Sequence, residues 1–406
     1  MNIRFVFSFE KFLYFFILFI LLIRVLSNIN IFDNSLAVIF PVAIIPLGLF
    51  YLILNSGKIK DYRLNLNSFL FIAICLFLLI IPIFQNLFLD NLVDGFDRYS
   101  HNFIWVVSLL GLAWIIAGGI FGSIQDSTVF FKYLNFVFFI IFFYLLIYSL
   151  NGGIFIDYQF LTNLRNDDIK IHHLSLTEPL MLVFYMIIAQ FYNSKYKWLF
   201  ILIVLFLMFS LGGRVAFFCY IFSVLIYEFL ISKKLNYFFK ISLISFISIY
   251  MLLFLSSDLD DTFALEKLFL SKGLNNDESF QSRMQFFHDF FNGFLSQIII
   301  GNPNFLIYTR NDLGSYAHNI LSVFQFYGLI PFILIMFSLF YIIRKFLVLK
   351  LFRNSDVFII FGILFFIYTT LSVIVGKAVL FSSLWFILGF WFFKFKNMQV
   401  SKNVLR

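Results

Sequence analysis

Long apolar runs, separated by short polar stretches, make up almost the whole chain. A helix through a hydrocarbon layer needs about 20 apolar residues. Twelve runs approach or meet that length: 12–27, 35–54, 68–88, 103–122, 130–150, 174–192, 196–211, 215–231, 237–255, 319–343, 355–375 and 378–393. The stretch around Gly212-Gly213-Arg214 reads either as a tight turn between two spans or as an interruption in one longer helix. One polar segment, 256–317, is much longer than the rest. Loops beyond about 12–15 residues are uncommon unless they serve a function. Within it, Phe280, Met284, Phe287, Phe291, Phe294 and Ile298 recur at helical spacing. They predict an amphipathic helix from Ser279 to Ile299, flanked by Arg283 and His288, that lies on a membrane surface or caps a bundle. Gly301-Asn302-Pro303 ends it. The expected fold class is all-α: a polytopic integral membrane protein of about 12 transmembrane helices, one domain over 1–406, with the long loop at 256–317 before the last three spans. No internal repeat or separate soluble domain is visible.

Composition agrees. Of 406 residues, 62% are hydrophobic and 12% charged, with a mean hydropathy of +0.97. A soluble domain carries about 25% charged residues. The 66 phenylalanines are acceptable lipid-facing residues and do not by themselves mark a binding platform. Cys75 and Cys219 both fall inside apolar runs and suggest neither a disulfide framework nor a metal site. The run from Phe12 lacks a small-residue cleavage site after it and reads as a retained span.

The net charge of +8 is explained by its distribution rather than by a nucleic-acid partner. Twelve spans put both termini on one side. That side then holds 19 of the 29 lysines and arginines but only five of the 21 acidic residues, a balance of +14 against −6 on the other. Cytoplasmic loops carry the excess of Lys and Arg, so both termini are expected in the cytoplasm. Basic residues on the outer side run against this bias and stand out: Arg24, Arg98, Arg165, Lys170, Arg214, Lys267, Lys272, Arg283, Arg310 and Lys377.

Three of the outer-side residues suggest chemistry. Arg214 follows Ser210-Leu211-Gly212-Gly213, where paired glycines let the backbone turn and leave room for a ligand. An arginine at the rim of a span is costly and a functional candidate by default, against the alternative of a snorkelling helix-end arginine. Arg283 opens Arg283-Met284-Gln285-Phe286-Phe287 on the loop helix, where it could equally contact lipid headgroups. His318 precedes Asn319 at the head of the tenth span, and an imidazole there can act as a general base or a phosphate partner. Topology puts all three on one face. Two fixed cations and a titratable ring suit chemistry on a lipid-linked phosphate. Glu178, before Pro179, is an intramembrane carboxylate that pairs with an outer arginine or lies at the interface. His172-His173 lacks other ligands at metal spacing, so no metal is expected. No phosphate loop, dinucleotide fingerprint or Ser-His-Asp order is present.

Ser210-Leu211-Gly212-Gly213-Arg214-Val215-Ala216, Arg283 through Pro303, and His318-Asn319 through Gly328 together resemble the motifs of the O-antigen polymerase and O-antigen ligase superfamily of bacterial envelope glycosyltransferases. The likeness extends to the overall plan of about twelve spans and one long periplasmic loop. Eight residues separate Asn319 from Gly328, one fewer than in ligases of the family. Pro331 stands where the family often has Gly, and the ligases' Arg-x-x-x-Leu reads Arg-x-x-x-Phe here. These departures favour the polymerase branch.

The resemblance implies an inner-membrane enzyme that joins undecaprenyl-diphosphate-linked repeat units on the periplasmic face. A ligase that transfers polymer to lipid A core is the nearer alternative and a flippase for lipid-linked glycan the more distant one. It further implies Arg214 and Arg283 as diphosphate-binding and catalytic residues, His318 as catalytic base or phosphate contact, and Asn319, Arg165 and Arg98 as further substrate-binding residues. It implies no cofactor and no nucleic acid. Its partners would be the lipid-linked glycan, the bilayer, and a chain-length regulator and flippase of the same pathway.

Overall fold

A computed structural model describes residues 9–28, 34–56, 65–89, 97–123, 128–151, 173–232, 278–303 and 317–404. Among these there is helix and no strand. The elements are α1 (Phe9–Asn28), α2 (Asn34–Ser56), α3 (Leu66–Leu89), α4 (Asp97–Gly122), α5 (Thr128–Asn151), α6 (His173–Phe191), α7 (Lys197–Ser210) and α8 (Arg214–Ser232). They continue with α9 (Glu278–Asn292), α10 (Phe294–Gln297), α11 (Leu321–Tyr327), α12 (Leu329–Val348), α13 (Val357–Val375) and α14 (Ser382–Val404), with one 3₁₀ turn at Leu351–Arg353. Five of the described helices, α3, α4, α8, α12 and α13, are long and apolar enough to cross a membrane, and shorter apolar helices accompany them. Large side chains such as Phe136, Phe139, Ile330 and Phe340 are exposed on the helices' outer faces. Water would penalise such a surface and lipid would not. The chain is a membrane protein. The expected span at 237–255 lies outside the described residues.

Two helices form the tightest seam. Gly118 and Gly122 of α4 meet α14 backbone to backbone. A Cβ at Gly118 would stand 1.9 Å from the Phe386 carbonyl oxygen, and one at Gly389 would stand 1.9 Å from that of Ile115. Small residues four apart permit this approach where no hydrophobic force separates protein from lipid. Trp114, Trp385 and Trp391 fill the surrounding core.

Three sequence expectations are refined. Gly212-Gly213 is a turn between two helices: Gly212 adopts φ +63°, which ends α7 and lets α8 start at Arg214. The tenth span is broken: Gly328 at φ +87° separates α11 from α12, because the chain there passes hard against another backbone and cannot continue as one helix. The loop helix breaks at Gly293 into α9 and α10.

The helices' directions follow from their contacts. Arg24, near the end of α1, pairs with Glu178, near the start of α6. Ser382, the first residue of α14, also reaches Glu178, and Val215 of α8 packs at Gly376 just past α13. At the other end of the bundle, Glu228 of α8 receives Lys197 and the Tyr192 hydroxyl, and Lys394 of α14 lies 3.7 Å from Asp356, the cap of α13. Polar groups thus gather at two ends.

The α4–α14 seam gives a direct test. Gly118→Ala and Gly389→Ala should each destabilise the protein by about 2 kcal/mol or more, since backbone must move to admit the methyl. Gly212→Ala has open space around it and should cost only the left-handed strain, about 1–2 kcal/mol. Thermal melts in detergent should rank them so; equal melting temperatures would refute the packing argument.

Candidate functional site

The site end is organised around the break in the tenth span. Breaking a helix frees backbone groups that apolar surroundings cannot satisfy. Here the turn after α10 supplies partners: the Leu329 amide donates to the Ile298 carbonyl at 2.9 Å, and the Asn302 amide to the Gln325 carbonyl at 2.8 Å. Gly301 (φ +75°) and Gly328 allow the approach; a Cβ on either would lie within 2.6 Å of opposing backbone. Buried Gln85 of α3 ties both segments together, its Nε2 donating to the carbonyls of Ile300 and Phe326, each at 2.6 Å.

This junction holds α11 and the residues before it. The Gln325 side chain accepts the Ala317 amide at 2.8 Å, so His318 follows a fixed residue. Asn319 shapes the turn that leads into α11: its Oδ1 accepts the Leu321 amide at 2.9 Å and its carbonyl accepts from Ser322. Its side-chain oxygen therefore serves the backbone at the head of α11. Ser322 Oγ in turn accepts the Val379 amide at 2.6 Å and joins α11 to the 376–381 linker between α13 and α14.

The expected residues come together through neighbours. Arg283 and Phe286, one turn apart on α9, face the bundle. The Phe286 ring lies 5.7 Å from the His318 ring. Arg283 Nη1 would stand 2.9 Å from a Cβ on Gly376, and Val215, next to Arg214, would stand 3.2 Å from the same point. Gly376 is thus the place where the Arg214 turn and the Arg283 guanidinium converge. The adjacent face of α9 carries Met284, Phe287 and Phe291 of the predicted apolar stripe, and all three are exposed, whereas Phe294 of that stripe stacks on Phe324. Phe290, one turn beyond Phe286, is buried against Phe324. Arg98 falls in the first turn of α4, but its side chain, like all of Arg165, lies outside the described residues.

Two features add to this set. Glu178 pairs with Arg24 at 3.2 Å and accepts from Ser382 Oγ at 3.1 Å, while Arg24 lies over the Trp114 ring. Of the two sequence alternatives, Glu178 takes the arginine. Next to Gly376, Lys377 is only 5% exposed, and its Nζ has no hydrogen-bond partner among the described residues. Burial pushes its ammonium below the usual lysine range; Glu178 draws it back, and the Arg283 charge adds to the push. Among the described residues no group of three His, Cys, Asp or Glu side chains assembles that could hold a metal ion.

Gln85→Leu should cost about 1–3 kcal/mol, because two carbonyls lose their donor in apolar surroundings. The melting temperature in detergent measures it, and an unchanged melt would mean that the junction does not depend on Gln85. Set against known proteins, the chain matches no family model, no curated protein and no solved structure.

Proposed function

We propose that this chain is a surface-polysaccharide polymerase of the bacterial inner membrane, joining lipid-diphosphate-linked repeat units on the periplasmic face. One observation carries the reading. Arg283 and the Arg214 turn meet at Gly376, and Arg283's helix also presents Phe286 to His318, at one end of an apolar helical bundle. The motif resemblance and the +14 against −6 charge division support it and orient that end outward.

The chemistry follows from the residue types. A hydroxyl of one repeat unit attacks C1 of the reducing sugar on the growing chain. The new O–C1 bond forms as the C1–O bond to diphosphate breaks, and the lipid diphosphate leaves with the electron pair. Charge grows on the diphosphate in the transition state, where preorganised cations away from bulk water are most effective. Arginine forks match phosphate oxygens bidentately, and this is the role of Arg214 and Arg283. His318 accepts the proton of the attacking hydroxyl or contacts phosphate.

Deleting the gene should leave lipid A core capped with a single repeat unit, read as the loss of the long-chain ladder on a gel. Polymer retained on the lipid carrier would indicate a ligase instead, and single units held on the cytoplasmic face a flippase. Arg214→Ala, Arg283→Ala and His318→Ala should reproduce the polymerase pattern at near-normal protein level, with partial rescue by Lys at the arginines. A normal ladder from any of them removes that residue from the site. Reporter fusions after Lys60 and Lys234 should read cytoplasmic and those near Asn275 and Asp167 periplasmic; a cytoplasmic signal at Asn275 would overturn the orientation.

A further inference from the structure

Lys377 stands apart from the other buried cations among the described residues. Lys394 has Asp356, Lys197 has Glu228, and Arg24 has Glu178. Lys377 Nζ has no hydrogen-bond partner among the described residues; it lies 5.5 Å from the centroid of the Phe381 ring. A buried ammonium without a hydrogen bond is costly and calls for an explanation.

Its backbone is firmly placed. The amides of Gly376 and Lys377 both donate to the Ser372 carbonyl, at 3.0 and 2.8 Å. Two residues on, the Val379 amide donates to Ser322 Oγ, and the Val379 carbonyl accepts from Trp385 Nε1 at 2.9 Å. The linker is therefore fixed to α13, α11 and α14 at once, and the lysine is held at the point where Arg283 and Val215 approach Gly376.

Two roles are open to such a cation. It could balance Glu178, but that carboxylate already has Arg24 at 3.2 Å and Ser382 at 3.1 Å. Or it could await an anion that enters from the Arg283 side. We infer that Lys377 is a third cation of the anion site, contacting the diphosphate of the lipid-linked substrate beside Arg283. This rests on the function proposed above and extends it by one residue. A diphosphate carries several negative charges over two phosphoryl groups, so three cations on three chain segments suit it better than two. An ammonium binds as a point charge beside the arginine forks.

The test uses the full-length protein purified in detergent, with farnesyl diphosphate as the probe and binding followed by calorimetry. Lys377→Met should weaken binding by about tenfold or more, the scale of one charged hydrogen bond. Lys377→Arg should stay near wild type. In the absence of probe, Lys377→Met should raise the melting temperature, since it removes an unpaired buried charge at nearly constant volume. A countercharge role predicts the reverse: a lower melt for Lys377→Met, recovered by adding Glu178→Gln, with probe affinity unchanged. That pattern would overturn the inference. Unchanged affinity in Lys377→Met, while Arg214→Ala and Arg283→Ala lose the probe, would overturn it and leave the parent reading standing. Loss in Lys377→Met alone, with both arginine variants binding normally, would keep Lys377 as an anion ligand and overturn the diphosphate roles of Arg214 and Arg283. No binding by the wild-type protein would overturn both.

Discussion

A broken helix inside an apolar protein is the constraint on which this architecture turns. Lipid offers no hydrogen bonds, so backbone groups released at the break must find partners within the chain. The break at Gly328 is made possible by a second irregular segment, the turn after α10, whose carbonyls and amides face it. Neither segment is satisfied alone. Gln85 bridges them, and its two acceptors belong to residues 215 and 241 positions away. Arg283 sits on the helix entering one segment, and His318 immediately precedes the helix entering the other. The requirement to satisfy backbone in an apolar setting thus brings the helix that carries Arg283 up to the His318 ring, through Phe286.

Electrostatics acts within this frame. Arg283 and Lys377 carry the same sign of charge, and the turn that begins α8 brings Arg214 to the same neighbourhood. Like charges gathered in a weakly polarisable medium repel, and neutral contacts help to hold the segments together. They are identifiable: the absent side chain of Gly376, the Ser322–Val379 hydrogen bond and the packing of Phe286 near His318. Glu178 is felt at Lys377 but is engaged by Arg24 and Ser382.

The helices were legible in the sequence because apolar length alone marks them, and the Gly212-Gly213 turn because left-handed backbone favours glycine. The loop helix was also legible, but not its orientation. Met284, Phe287 and Phe291 of its predicted stripe turn outward, Phe294 of the same stripe stacks on Phe324, and Phe286 and Phe290 turn toward the protein. In a soluble protein the apolar face would point inward. Where lipid is as apolar as the core, polarity no longer separates inside from outside, and the buried face is told by Arg283 and by its aromatic contacts. The break in the tenth span had a local signal, Gly328 three residues before Pro331, that a continuous apolar run concealed. Lys377 stood among ten outer basic residues with nothing local to single it out, because its burial depends on α8, α9 and α11 arriving from elsewhere in the chain. Asn319 also has a structural task just before α11, where its Oδ1 accepts the Leu321 amide.

The two ends of the bundle differ in how their charges are settled, and the difference bears on the proposed function. At the Tyr192 end the buried charges are matched within the chain: Glu228 holds Lys197 and the Tyr192 hydroxyl, and Asp356 holds two amides of α13 with Lys394 nearby. At the Glu178 end one pair closes in the same way, yet a buried ammonium stays without a hydrogen bond among the described residues next to a second cation. Matched charges need nothing further and describe a structural end. An unmatched cation held by a rigid linker lowers stability unless an anion completes it. That asymmetry among the described residues supports the anion site proposed at the Gly376 end, on an observation separate from the motif resemblance.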